Sequence, residues 1–487
     1  MALLHSFEFA RAIDAFNLVL ANDPTCAMAE WGIALSDWTN PMTANAKPAV
    51  LMLKGRAAVQ RALALGPKTD RERDYIDAVS TLYASFETTP QPARVVAYRD
   101  AMAAVAAKYP DDTEASIFYA IALTAAASPS DKSYADQLKA GAILEAQFAK
   151  EPNHPGLAHY IIHTYDVPPL AGRAVAAAGR YSKIAPSAPH ALHMPSHTFT
   201  RIGAWQSSID ANIASATSAK LEGSTAEELH ASDYKTYAYL QTGRDAAALR
   251  VLKALPEIES RFDPAAIGGA ASGSAGIFAL AAIPARIALE RGDWAAAVAL
   301  QPRSTPFAHA DAVTWFARAL GGARSGDTTT ARGAVETLER IQAKLTASGE
   351  SYWTEQVRIQ VLGARAWLTF AGGQPAEALT LMRDATNAED KTEKNAVTPG
   401  PLAPAREMLG EMLLLTSQPR QALVEFEATL RKEPNRFRAL DGAARAAAAA
   451  GDLATARRYR AQLVALCARG DRPGRAELAA ARHAASR

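Results

Sequence analysis

Six of the ten histidines in this chain of 487 residues fall between positions 154 and 197. Within that stretch His159 and His163 are four residues apart, and so are His193 and His197. Side chains four apart on an α-helix share a face, with Cβ atoms about 5–6 Å apart, so two imidazoles can converge on one ion. The spacing predicts a metal centre held by His159, His163, His193 and His197.

The chemistry open to such a centre depends on its ligands. Imidazole suits copper, iron or zinc, so we expect a transition metal ion whose identity the residues leave open. The stretch is not the zinc-protease motif, because Tyr160 and not a glutamate follows His159. A nearby carboxylate could bind the ion, orient a histidine or serve as a general base.

Composition excludes several other kinds of site and partner. The two cysteines, Cys26 and Cys467, are too few for a disulfide framework or a thiolate metal site. A formal net charge of +2 supplies no strong field, so we expect neither nucleic acid nor a membrane surface as a partner. We find no apolar run of membrane-span length and no signal peptide, and we expect a cytoplasmic location.

The elements that must position the histidines are helices. Alanine-rich segments with apolar residues at helical spacing run along most of the chain, without the alternation typical of strands, so the fold class is predicted to be all-α. Residues 403–434 match a repeated helix pair, with Gly410 and Phe426 at its characteristic positions and Pro434 closing it. The spacing predicts a tetratricopeptide-repeat superhelix, an α-solenoid.

Turns between helix pairs are predicted at Gly292-Asp293, at Gly326-Asp327 and at Gly373. The tract Ile267 to Gly276 is rich in Gly, Ser and Ala and predicts a flexible loop or hinge. We therefore divide the array into an N-terminal part, residues 1–266, which carries the histidines, and a C-terminal part, residues 267–487, which continues the same solenoid. The chain is expected to begin inside a repeat.

The repeat register places further groups beside the histidines. With Pro186 as a closing proline, His159, His163 and Asp166 lie on the first helix of one repeat. This register predicts that the concave groove is lined by the four histidines and Asp166. His230 and Asp233, two repeats later, are predicted to line it as well. We predict Asp166, His230 and Asp233 as catalytic or supporting residues, and we set His190 aside as outermost. Pro195 either bends the helix that carries His193 and His197 or ends it.

Three short motifs carry a family resemblance. They are the segment Leu3 to Phe7, the segment Cys26 to Gly32, and His-Met-Pro-Ser-His at 193–197. With them the chain resembles a group of bacterial tetratricopeptide-repeat proteins of unassigned function. The resemblance implies the repeat fold and a special status for the histidines, and it transfers no reaction.

Two functions follow as hypotheses. The first is a metal-dependent enzyme that oxidises or hydrolyses a small molecule in the groove. The second is a non-catalytic scaffold whose groove binds a peptide or partner protein, as most such arrays do. Metal storage or delivery would use the same ligands as the enzyme. In each case the chain could also associate with copies of itself.

Overall fold

A computed structural model describes residues 1–43, 46–266 and 269–485. Over these ranges the secondary structure is helical, with no β-strand, so the predicted all-α class is confirmed. Consecutive helices pack against one another in pairs: Ala308–Ser325 contacts Thr328–Ala347, and Ser351–Ala371 contacts both Thr328–Ala347 and Pro375–Asp390. This succession of helix pairs is the tetratricopeptide-repeat type of α-solenoid.

The helices belong to two compact units. The first comprises residues 1–198, 217–227 and 265–272, and the second comprises residues 199–216, 228–264 and 273–487. The division predicted at 266/267 stays a prediction. The helices of the first unit are Ala2–His5, Phe9–Asn22, Ala27–Trp38, Ala49–Leu65, Asp70–Tyr83, Gln91–Lys108, Thr113–Ala126, Ala135–Lys150, Pro155–Thr164, Val175–Ile184 and Pro189–His193, with a 3₁₀ turn at Ala171–Ala174.

Three helices contribute residues to both units: Pro195–Arg201, Trp205–Glu222 and Thr225–Gln241. The remaining helices belong to the second unit. They are Asp245–Glu259, Gly273–Arg291, Trp294–Ala299, Ala308–Ser325, Thr328–Ala347, Ser351–Ala371, Pro375–Asp390, Ala405–Leu415, Pro419–Lys432, Phe437–Ala449, Leu453–Leu466 and Ala476–Ala485.

The Gly-Asp turns form as predicted, and the glycine and the aspartate contribute to them in different ways. Gly326 has φ +87°, a left-handed conformation that lets the first helix of the pair end. Asp327 then caps the next helix, because its carboxylate accepts a hydrogen bond from the Thr330 amide at 3.0 Å. Gly292 and Asp293 repeat this arrangement. Local chemistry therefore sets where these helix pairs turn.

Close packing explains the glycines of the best-matched repeat. The ring of Phe426 is buried, and a Cβ built on Gly410 would lie 2.8 Å from it. A Cβ on Gly442, in the following repeat, would lie 2.3 Å from the same ring. Neither position has space for a side chain, so Phe426 fits between two helices only because both carry glycine there.

The predicted loop or hinge is partly the start of a helix, while residues 269–272 lie outside the helices. Ile267 and Gly268 lie outside the described residues, but Gly273 to Gly276 form the first turn of Gly273–Arg291. A Cβ on Gly273 would lie 1.9 Å from the Pro264 carbonyl oxygen, so here glycine permits close contact.

The expectation that no apolar run reaches membrane-span length was wrong for the helix Gly273–Arg291. This helix is long and apolar enough, with a mean hydropathy of 1.3, and 89% of that apolar window is buried inside the protein as a core helix.

Candidate metal centre

Three buried histidines form a first group, which we call the His159 group: His159, His163 and His190. His159 and His163 lie on the helix Pro155–Thr164, whose first position is occupied by proline. The ring centroids of the two histidines are 4.8 Å apart. His190 lies on the short helix Pro189–His193. One nitrogen from each ring lies within 4.8 Å of the others, so the three side chains can bind one ion.

A backbone carbonyl sets the tautomer of His159. Its Nδ1 lies 2.6 Å from the carbonyl oxygen of His5, which can only accept, so Nδ1 carries the proton. Burial, with the neighbouring His163 and His190, holds the pKa of His159 well below its ordinary value, and the ring is therefore neutral. Its lone pair is then on Nε2, which lies 3.1 Å from Nε2 of His190. This is the arrangement of a metal-binding histidine with a hydrogen-bonded outer nitrogen.

A second group, the His197 group, consists of His193, His197 and Asp166. Nε2 of His193 lies 3.0 Å from Nε2 of His197, and Nδ1 of His197 lies 2.9 Å from a carboxylate oxygen of Asp166. Since a carboxylate accepts the Nδ1 proton, the lone pair of His197 is directed at His193. The His197 group thus repeats the geometry of the His159 group, with a side-chain acceptor in place of a carbonyl.

Pro195 ends one helix and begins another. The predicted single helix is two helices, Pro189–His193 and Pro195–Arg201, with Met194 in helical conformation between them. The Met194 carbonyl accepts a hydrogen bond from the His197 amide at 3.1 Å. The second helix is therefore rotated little, about the helix axis, relative to the first. The rings of His193 and His197 therefore stay together although the helix is interrupted. Asp166, expected on the first helix of its repeat, lies beyond the end of Pro155–Thr164.

The four predicted ligands are thus divided between two neighbouring groups. His159 and His163 lie with His190, whereas His193 and His197 lie with Asp166. The groups adjoin, because the ring centroids of His163 and His197 are 6.0 Å apart. His190, which was set aside as outermost, completes the first group. The repeat template placed it at the edge of the groove, whereas its ring centroid lies 5.0 Å from that of His159.

The remaining predicted residues, His230 and Asp233, lie on the helix Thr225–Gln241. His230 is buried, with its ring 5.1 Å from the ring of Tyr234, and its catalytic role stays a prediction. Asp233 forms a buried ion pair with Arg286, at 2.7 Å and 3.3 Å. Both carboxylate oxygens of Asp233 are therefore bound by the Arg286 guanidinium. This contact gives no support to the catalytic role predicted for Asp233.

A third group lies close to the first and was missed from sequence. His5 and His154 both contact the carboxylate of Glu114, at 2.9 Å and 3.4 Å. Burial raises the pKa of Glu114, but the hydrogen bonds from His154 and His5 outweigh it and hold that pKa below its ordinary range. Because His5 also provides the carbonyl that His159 contacts, Glu114 helps to position the His159 group from outside it.

Two residues that follow His5 complete the surroundings. The ring of Phe7 covers the His159 group, with its centroid 4.4 Å from that of His159 and 5.6 Å from that of His190. Next to it, Glu8 is buried, and burial together with the charges of Glu227 and Glu222 raises its pKa to about 7. A carboxyl group that titrates near neutrality can take and return protons under ordinary conditions.

Comparison with known proteins adds a likeness of fold. No family model matches the chain, and no curated protein matches it. Among solved structures it is similar to a human IFIT1 dimer with m7Gppp-AAAA, at 10% identity and a TM-score of 0.42 over 94% of this chain and 95% of that one. A structure of Naa15/Naa10 bound to HypK-THB is similar at 10% identity and a TM-score of 0.22, over 94% and 73%. Such values carry no inference about ligands.

Proposed function

We propose that this protein is a metal-dependent enzyme that binds transition metal ions at the His159 and His197 groups and acts on a small molecule. One observation carries the proposal. In each group an outer acceptor fixes the proton of one histidine on Nδ1, and the lone pair on Nε2 is directed at a second imidazole about 3 Å away.

A cation between His159 and His190 accounts for this geometry with both imidazoles neutral. A neutral His190 that donates to His159 from Nε2 directs its Nδ1 lone pair at the Glu227 carboxylate at 3.9 Å, and one protonated on Nδ1 places two Nε2 lone pairs opposite each other. A metal ion removes the second conflict, since ligands at about 2.0–2.1 Å in a tetrahedral site lie roughly 3.3 Å apart. The arrangement without metal needs a proton on both nitrogens of His190, and metal analysis distinguishes the two.

The side chains around the ligands favour chemistry over storage. An ion bound there would act as a Lewis acid or redox centre, and copper, iron and zinc all suit the imidazole ligands. Phe7 covers one side of the His159 group, and the next residue, Glu8, is buried. Glu8 is therefore the group we assign to proton transfer. Asp166 fixes the orientation of His197.

Metal content tests the proposal directly. Tag-free full-length protein should contain a transition metal by plasma mass spectrometry, and His159→Ala and His197→Ala should each lose part of it. His483→Ala, an exposed histidine outside the groups, is the matched control and should keep the full content. Less than about a tenth of an equivalent in wild-type protein, even after reconstitution with copper, iron or zinc, would contradict metal binding.

Turnover separates the enzyme from its alternatives. A metal-loaded protein that converts no small molecule in oxidation and hydrolysis screens would be a storage or delivery protein. A metal-free protein that binds peptides would be a scaffold. Glu8→Gln should keep the metal and lower turnover, because the amide cannot exchange the proton. The prediction for His230 is examined in the same assays with His230→Ala.

A further inference from the structure

An apolar pocket lies on the other side of Phe7 from the His159 group. It has about 520 Å³ of free space, including its open mouth, and its walls include Leu35, Trp38, Phe118 and Ala122. No charged side chain is among the described residues that line it. Trp31 packs against Tyr75 and Phe118, whereas Trp38 forms a wall of the pocket.

One polar group in this lining has no hydrogen-bond partner. Tyr98 is only 7% exposed, and its hydroxyl is buried. None of the described residues forms a hydrogen bond with this hydroxyl. A buried hydroxyl without a partner is costly, because it has given up water and gained nothing. A ligand that brings a hydrogen-bond acceptor into the pocket would remove that cost.

Phe7 adopts a backbone conformation that few non-glycine residues take. Its φ is +58°, and it follows Ser6, the C-cap of the helix Ala2–His5, at a place where helices usually end with glycine. This conformation places the ring against His159 on one side and within the pocket lining on the other. Unusual backbone conformations of this kind concentrate at functional sites.

We propose that the pocket binds a small uncharged molecule with an apolar ring or chain and one hydrogen-bond acceptor. The apolar part lies against Trp38 and Phe118, and the acceptor takes the proton of the Tyr98 hydroxyl. Phe7 then forms the partition between this ligand and the His159 group. The identification of the ligand as a substrate rests on the proposed function, whereas its binding does not.

Two probes of equal shape test the recognition. Acetophenone has a carbonyl acceptor, and ethylbenzene has the same ring and a similar size without one. Binding to tag-free full-length protein is measured by calorimetry and by ligand-observed NMR. The ratio of acetophenone to ethylbenzene affinity, here called the preference, should be roughly tenfold higher in wild-type protein than in Tyr98→Phe, because only the tyrosine hydroxyl gains a partner. Tyr98→Phe should leave ethylbenzene binding and metal content unchanged.

Tyr119→Phe is the matched control, because Tyr119 lies on the neighbouring helix Thr113–Ala126 and does not line the pocket. It should keep the preference. Failure of both probes to bind a metal-loaded wild type would overturn the pocket and leave the metal proposal intact. An unchanged preference in folded Tyr98→Phe would also overturn it. Probe binding by a wild type that holds no metal would support the pocket and reject the proposed function.

Discussion

His159 donates its Nδ1 proton to the backbone carbonyl of His5, across 154 positions of sequence and a distance of 2.6 Å. A backbone acceptor cannot be removed by substitution, and it cannot change its protonation. It therefore fixes which nitrogen of His159 is available to an ion more firmly than a side chain would. The corresponding acceptor in the His197 group is the side chain of Asp166, and this difference can be tested.

Replacement of Asp166 by asparagine should weaken metal binding at the His197 group. The amide is a poorer acceptor for the His197 Nδ1 proton, so the ring loses basicity and orientation, and affinity should fall about 10–100-fold. Competition titration with a chelator measures the change. Asp100→Asn, an exposed aspartate, is the control. Equal affinity in Asp166→Asn and wild type would show that the contact does not position a ligand.

Replacement of Glu114 by alanine should act on the His159 group through His5. It removes the carboxylate that contacts both the buried His5 and the half-buried His154, so both rings lose that partner. We expect a loss of about 1–3 kcal/mol in the free energy of unfolding, together with weaker metal binding. Chemical denaturation and chelator competition measure the two effects. A loss of stability with unchanged metal affinity would reject the link through His5.

Acid should destabilise the second unit through His309. Burial lowers the pKa of His309 to about 3, from an ordinary value of 6.5. Between these values the unfolded chain binds a proton that the folded protein does not, so stability is complete above pH 6.5 and is lost as pH falls. The loss should approach 1.4 kcal/mol, roughly, per pH unit below about 6.

His309→Phe is the variant that isolates this effect, because an aromatic ring can keep the stack on Trp353, where the centroids are 4.0 Å apart. Urea unfolding of both proteins at pH 7, 6 and 5 should give a difference that shifts in favour of the variant at each step. Parallel pH dependences would mean that His309 titrates normally in the folded state.

Two glycines on helices should respond to alanine in opposite directions. Gly442→Ala places a Cβ within 2.3 Å of the Phe426 ring and should cost about 1–3 kcal/mol of folding free energy through overpacking. Gly333 lies on Thr328–Ala347 with nothing within 4 Å of its Cβ position. Gly333→Ala should therefore stabilise by up to about 1 kcal/mol. Thermal unfolding of both variants compares them, and destabilisation by Gly333→Ala would contradict the packing described.

The helix pairs could be predicted because their determinants are local. Gly326 and Asp327 end one helix and cap the next through their own backbone angles and hydrogen bonds, and such residues are visible in sequence. The pairing of Phe426 with Gly410 likewise follows from the repeat spacing. The predicted loop or hinge at residues 267–276 extended too far, into the helix that begins at Gly273, because glycine has two uses. Composition does not distinguish a flexible glycine from one that permits close packing.

The candidate site could be predicted only in part. The spacing of His159 and His163 is a property of one helix, and the structure keeps those rings together. His190 was set aside because the repeat template placed it outermost, but it lies on the short helix Pro189–His193 with its ring centroid 5.0 Å from that of His159. His5, Glu8 and Glu114 reach the site from distant parts of the chain, so no sequence spacing could have indicated them.

The ring that covers the His159 group belongs to Phe7, whose backbone has a φ of +58°. A non-glycine residue in this conformation costs about 1–3 kcal/mol and keeps it only while the surrounding packing holds it there. Local opening of this segment therefore needs less free energy than global unfolding. The rates at which metal enters and leaves should follow that opening, and amide hydrogen exchange at Phe7 and Glu8 would report its rate.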